Sequence, residues 1–226
     1  VKVIAVTKDG TVTASSTVEY PLYHPKPGWA EQDPEDWWQG TLACLKNVAA
    51  KLGDKAKNVR SIGLSGQMHG SVFIDKEGKV LRPAILWCDV RTAEQCRFIH
   101  DVVGRDNLIS HTSNPALEGF TAPKIIWVKQ NEPEVYAKVD KVLLPKDYVR
   151  YRLTKEIFTE VSDAAGTVLF DVTNRKWSLP VLNALDISPD IMPTCREAVD
   201  ICGRLTGDVA GETGLPANIP VAGGGA

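Results

Sequence analysis

The chain has 226 residues, of which 43% are hydrophobic and 24% charged, and its formal net charge is −2. That length supports one large domain or two small ones with a substantial core, and the composition is that of a soluble globular protein. The small net charge gives no electrostatic ground for a nucleic acid or an anionic membrane as partner, no apolar run reaches the roughly 18 residues of a transmembrane helix, and no secretory signal pattern is present.

Residues 1–6 read as a strand, Asp9-Gly10 as a hairpin turn, and residues 11–20 as the returning strand. Residues 21–33 read as a proline-rich loop. Asp33-Pro34-Glu35-Asp36 is a helix start, with a capping acid, proline at the first helical position and acids in the first turn. Trp38, Leu42, Leu45, Ala49 and Leu52 then recur at helical spacing, and Gly53 stops the helix. Residues 59–64 form an apolar run that predicts a buried strand. Residues 71–74 and 79–81 flank a turn and predict a hairpin. Residues 84–88 predict another buried strand, and residues 92–103 a helix closed by Gly104. Helices are expected over 121–130 and 133–139, separated at Pro133. A short strand at 142–144 leads into a helix opened by Pro145. Residues 156–161 read as extended, 162–167 as a turn or helix start capped by Ser162 or Asp163, and 179–185 as a short helix. A strand at 200–205, a helix at 206–213 and a strand at 219–222 lead into Gly223-Gly224-Gly225. An antiparallel start followed by alternating strands and helices predicts an α/β layer fold with a mixed sheet.

Five cysteines (Cys44, Cys88, Cys96, Cys195 and Cys202) are scattered without a CxxC pair, which reads as reduced intracellular thiols. The four histidines show no ligand-like spacing with them, so no metal site is expected.

The segment Leu64-Ser65-Gly66-Gln67-Met68-His69-Gly70 carries the most chemical information. It lies at the carboxyl end of a predicted strand, where open α/β sheets bind ligands. Gln67 offers an amide, His69 an imidazole and Met68 an adaptable apolar wall, a set suited to a small polyhydroxylated ligand. A tight turn between two strands is the plain alternative. Trp87, Asp89 and Arg91 stand at the end of the next apolar strand. Trp87 reads either as core or as a flat wall for a sugar's carbon face. Asp89 reads either as a helix cap or as a partner for hydroxyls, with Arg91 beside it. Lys124 lies one turn inside a helix, where a cation opposes the dipole, and hints at a carboxylate or phosphate partner. Gly223-Gly224-Gly225 would let a backbone approach a phosphate closely, but it completes neither a P-loop nor a dinucleotide fingerprint.

Seven ordered segments together resemble the FGGY carbohydrate kinases: residues 29–34, 66–70, 82–87, 119–127, 144–148, 162–167 and 222–225. The likeness runs over nearly the whole chain and is strongest to the branch acting on the ketopentose xylulose. It implies an actin-like (ribonuclease H-like) α/β domain with a mixed sheet flanked by helices, and one sugar-binding domain over residues 1–226. It also implies that Gln67, Met68 and His69 contact a ketopentose, with Trp87 and Asp89 lining the pocket. The reaction implied is phosphoryl transfer from ATP with Mg2+ in a cytoplasmic enzyme. The family often forms homodimers. Two departures matter. Family members carry an Asp-x-Gly-Thr-Ser turn ahead of the segment matching Val1, and their glycine triplet leads into the Asp expected to be the catalytic base, where Ala226 follows here. The expectation is a sugar-binding domain truncated at both ends, without its nucleotide-binding domain and inactive by itself. A non-catalytic sugar-binding or actin-like interaction module is the alternative, as is a kinase for another ketose or a polyol.

Overall fold

The structure is a computed structural model that describes residues 1–225. Its elements run in the order β1 (Lys2–Val6), β2 (Val12–Thr17), β3 (Glu31–Gln32), α1 (Pro34–Leu52), β4 (Val72–Ile74), β5 (Ala84–Ile85), α2 (Ala93–Val103), α3 (Arg105–Thr112), α4 (Thr121–Asn131) and α5 (Pro133–Tyr136). There follow β6 (Lys141–Leu143), α6 (Pro145–Thr154), β7 (Phe158–Glu160), α7 (Val161–Ala165), β8 (Phe170–Asp171), β9 (Lys176–Trp177), α8 (Leu179–Ala184), β10 (Thr194–Arg196), β11 (Ile201–Arg204), α9 (Gly207–Thr213) and β12 (Pro220–Ala222).

Pairing is mixed, as expected: β7 and β10 run parallel, while β4 and β6, and β3 and β5, run antiparallel. A bridge between Ser71 and Ile85 joins these last two pairs into a ribbon ordered β6-β4-β5-β3. Side chains alternate across a strand, and β4 uses both faces. Phe73 enters a core with Ile99, Ile125 and Ile126, whereas Val72 and Ile74 enter a second core with Trp38, Leu42 and Tyr148. Helices therefore cover both sides of this ribbon, which is why its central residues are uniformly apolar.

Helix α1 follows its sequence signals closely. The Asp33 carboxylate accepts the Glu35 N–H at 2.9 Å, and Pro34 opens the helix. Gly53 closes it at φ 54°, donating to the Ala49 and Ala50 carbonyls. The apolar face of Trp38, Leu42, Leu45 and Ala49 is buried.

Four expectations are corrected. Residues 59–64 do not form a buried strand: Val59, Ile62 and Leu64 are half-buried, and the segment pairs with the β12 region only through the parallel bridges Ile62–Val221 and Ser65–Gly225. The strand predicted over 84–88 ends at Ile85, because the chain turns as the Asp89 N–H bonds the Leu86 carbonyl. The loop over 21–33 includes β3, whose two residues are buried against β5. Helix α3 lies where no element was expected; its apolar residues are too few to show a helical period.

Replacing Asp33 with Ala removes the cap of the longest helix. It should cost about 1 kcal/mol and lower the thermal midpoint by roughly 2–4 °C for a domain of this size. Asp33→Asn, which keeps an acceptor, should stay near the parent in the same melts.

Candidate functional site

The loop over 66–70 contains a γ-turn. The Gly70 N–H bonds the Met68 carbonyl at 2.9 Å, and His69 between them has φ 67°. That conformation is rare for a residue with a side chain and costs on the order of 1–3 kcal/mol. Contacts from two other segments, residues 120–124 and Gly166, hold it. The His69 carbonyl accepts from Thr121 Oγ1 at 3.1 Å and from Lys124 Nζ at 2.9 Å. The His69 ring meets Phe120 edge-on, with centroids 4.7 Å apart. Its Nδ1 lies 3.0 Å from the Gly166 carbonyl, which can only accept, so Nδ1 carries the proton. Gly166 is required here, since a Cβ would sit 2.4 Å from His69 Cε1. Burial, and then the nearby Lys124 charge, lower the His69 pKa, against the opposing bond to Gly166. The imidazole is thus neutral at pH 7, with Nε2 as its acceptor. Met68, at the start of the turn, is 43% exposed.

Gln67 is partly committed: its amide donates to Gln32 Oε1 at 2.9 Å, and the Trp37 indole donates to the same oxygen at 3.0 Å. Its own carbonyl oxygen remains as an acceptor.

Lys124, in the first turn of α4, is completely buried. Among the described residues its hydrogen bonds go not to a carboxylate but to two backbone carbonyls: His69 at 2.9 Å and Gly119 at 2.7 Å. Burial pulls its pKa down to about 7, with Asp89 and Cys88 opposing and Arg91 assisting. A charge-assisted hydrogen bond contributes roughly 1.5–3 kcal/mol, enough to offset the strain at His69.

Gly119 also edges a groove of about 450 Å³ whose walls include Trp87, Cys88, Val90, Leu117 and Glu118. Trp87 is 55% exposed, so the reading of it as core is set aside. Gln67, Met68 and His69 do not line this groove; Lys124 links them to it, since its Nζ reaches both the His69 and the Gly119 carbonyls. Asp89 borders the groove but is fully buried. Its oxygens accept from the Ala30 N–H at 2.6 Å, the Arg91 N–H at 2.9 Å and Arg91 Nη2 at 2.7 Å. Asp89 therefore caps no helix. Arg91 continues to Glu31 at 2.8 Å and lies flat on Trp29, 3.6 Å from its ring centre; Glu31 pairs with Arg82, and Arg82 with Glu132.

Behind the 66–70 loop lies a second ionic cluster that the sequence did not suggest. Lys146 Nζ contacts Asp147 at 2.8 Å, Asp163 at 3.0 Å and Glu160 at 3.2 Å, and Arg150 Nη2 contacts Asp147 at 2.9 Å. All five side chains are buried. Glu160, rather than Ser162 or Asp163, caps α7: its carboxylate accepts the N–H groups of Ser162 and Asp163. A glutamate reaches back to this cap and to Lys146 together, which a shorter side chain would not span. Burial weakens the charge on Lys146, but the three carboxylates, Asp147 foremost, outweigh it and hold its pKa above the usual lysine range. Burial drives Asp163 up to about 7; Lys146 opposes this, and Asp147 and Glu160 add to it.

The glycine triplet is explained by packing. The amides of Gly223, Gly224 and Gly225 donate to the carbonyls of Asp200, Ala198 and Leu64, so none is left for a phosphate. Gly224 has φ 92°, and a Cβ there would lie 2.4 Å from the Leu64 carbonyl oxygen. Among the described residues no group of three or more His, Cys, Asp or Glu side chains has the arrangement to hold a metal ion. The carboxylates around Lys146 are already drawn onto its ammonium. No described helix is long and apolar enough to cross a membrane.

Mixed strand pairing with helices on both sides of the ribbon is the architecture of an actin-like α/β domain. Residues 1–226 match the N-terminal domain of the FGGY family of carbohydrate kinases, and the chain belongs to that family. It is 45% identical to the xylulose kinase of Klebsiella pneumoniae over 225 residues, covering 100% of this chain and 46% of the relative. It is 46% identical to the xylulose kinase of Bacillus subtilis over 226 residues, covering 100% of this chain and 45% of the relative. The chain thus spans about half the length of the curated relatives it matches. The crystal structure of a xyloylose kinase from Brucella ovis superposes with a TM-score of 0.94 at 36% identity, over 99% of this chain and 46% of that one. A glycerol kinase from Plasmodium falciparum shares the fold at a TM-score of 0.91 and 23% identity, over 99% of this chain and 46% of that one.

The proton on Asp163 gives a testable pH dependence. A carboxyl that titrates at about 7 when folded, against 3.8 ordinarily, favours the folded state at low pH. That contribution is lost as pH rises through 7. Asp163→Asn should remove the loss, so its stability relative to the parent should climb by an amount on the order of a few kcal/mol between pH 5 and 8. Urea unfolding at several pH values checks this; a constant difference would count against a protonated Asp163.

Proposed function

We propose that this chain is the sugar-binding domain of a two-domain cytoplasmic kinase that phosphorylates D-xylulose to D-xylulose 5-phosphate. The observation that carries this reading is the strained turn at His69, held by two other segments, in a chain of the carbohydrate-kinase family. Strain is maintained at binding sites because it fixes where side chains point. The neutral His69 ring, anchored through Nδ1, offers Nε2 as an acceptor for a sugar hydroxyl. The half-exposed Met68 offers a polarizable apolar surface for the carbon chain. Gln67 contributes its carbonyl oxygen, and Trp87 a flat face. Asp89 acts from behind, fixing Arg91 and Ala30 and so the Trp87 wall.

MgATP supplies the phosphoryl group in this reading. The protein's task is then to position the acceptor hydroxyl and exclude water, since phosphoryl transfer asks for little covalent chemistry. A carboxylate must accept the hydroxyl proton. The buried acids near His69 are engaged in ion pairs, so the reading assigns that base, and the residues that hold MgATP, to no residue of this chain.

In the complete kinase, His69→Ala should raise the KM for D-xylulose about tenfold or more, the loss of a well-aligned hydrogen bond. The KM for ATP should stay within about twofold. Unchanged xylulose kinetics would remove His69 from the pocket. Xylulose-dependent ATP consumption by the 226-residue chain alone would refute the assignment of the base elsewhere.

A further inference from the structure

Lys124 is fully buried, yet both hydrogen bonds of its ammonium go to backbone carbonyls. Apart from Asp89 and Cys88 nearby, its setting disfavours a cation. It lies in the first turn of α4, where the helix dipole repels positive charge, and its neighbours Ile125, Ile126 and Val128 are core residues. Burying an ammonium is costly unless geometry repays it. What it gains is a link between two surfaces remote from each other in sequence. One is the His69 carbonyl, in the strained γ-turn. The other is the Gly119 carbonyl, on the edge of the Trp87 groove. Thr121 adds a second donor to the His69 carbonyl, so that side of the link is doubled.

We infer that Lys124 is a positioning residue for sugar recognition: its ammonium ties the His69 turn to the Gly119 edge of the Trp87 groove and sets the spacing of the two surfaces that receive the ketose. This rests on the reading of the 66–70 loop as the sugar site. A side chain that fixes spacing affects the sugar selectively, because small misplacements of a bound group are amplified in rate and affinity. A side chain that merely fills the core lowers stability and the amount of active enzyme, leaving the KM of the remaining enzyme unchanged.

The test uses the complete kinase with Lys124→Met, Thr121→Val and His69→Ala, measuring KM for xylulose and ATP, kcat and thermal midpoints. Lys124→Met should raise the xylulose KM about tenfold or more, with the ATP KM within about twofold. Thr121→Val, a near-isosteric change that keeps the fold if Lys124→Met does not, should shift the xylulose KM the same way by about threefold. A xylulose KM within about twofold of the parent in both folded variants overturns the inference, as does an equal rise for xylulose and ATP. If His69→Ala also leaves the xylulose KM unchanged, the sugar-site reading itself falls. If His69→Ala raises it and the other two do not, only the role of Lys124 falls.

Discussion

The five-membered cluster around Lys146 is the interaction on which the site's frame depends. It joins α6, the end of β7 and the start of α7 at one point, and Arg150 extends it by donating to the carbonyls of Gly223, at 2.6 Å, and Phe158. Buried ion pairs add little net stability compared with apolar packing, but breaking one costs about 3–5 kcal/mol by leaving a charge unpaired. Such a cluster therefore selects one arrangement of its elements and penalises all others. The fold needs that selection, because its strands are only two to six residues long and their ladders alone fix little.

The cluster also fixes what lies above it. Its lysine belongs to the first turn of α6, the helix on which the 66–70 loop rests, and its glutamate caps the helix that leads to Gly166. Gly166 in turn anchors His69. The strained turn is thus supported from beneath by α6 and from one side by α7, while α4 supplies Thr121 and Lys124 from the other. A conformation that a short loop would abandon in isolation persists because the His69 carbonyl is held by α4 and its ring Nδ1 by the Gly166 carbonyl.

Local chemistry made much of this legible in the sequence. Asp33-Pro34 and Gly53 mark α1 because caps act within one turn, and Gly104 and Pro145 mark helix ends for the same reason. The 66–70 loop was legible because two glycines around a polar triplet at a strand end are unusual. The ionic networks were not. Glu31, Arg82, Arg91 and Glu132 come from four separate segments, and each alone reads as an ordinary surface charge. Glu160 carries no cap signal in the sequence because glutamate is not among the preferred capping residues; in the fold it accepts the Ser162 and Asp163 N–H groups while pairing with Lys146. The 59–64 run misled because apolar content signals burial on average, whereas this segment has only sparse pairing along the β12 side.

The two buried networks share a charge pattern. Behind Trp87, three carboxylates (Asp89, Glu31 and Glu132) face two guanidiniums (Arg91 and Arg82); beneath His69, three carboxylates face Lys146 and Arg150. Each is one positive charge short; the upper network can pass part of its excess to solvent through the partly exposed Glu132, whereas the lower one, wholly buried in a region of low dielectric, cannot. The lower network meets its deficit with a proton, which is why Asp163 holds one up to about pH 7. The upper network has Lys124 beside it, and Asp89 draws a proton to that amine although burial brings its pKa down to about 7. Lys124 therefore stands where two demands coincide: Asp89 draws positive charge to it, and the His69 carbonyl takes it as a second donor beside Thr121. A neutral donor such as a serine hydroxyl would meet only the second. A lysine placed against its helix dipole is the side chain that satisfies both.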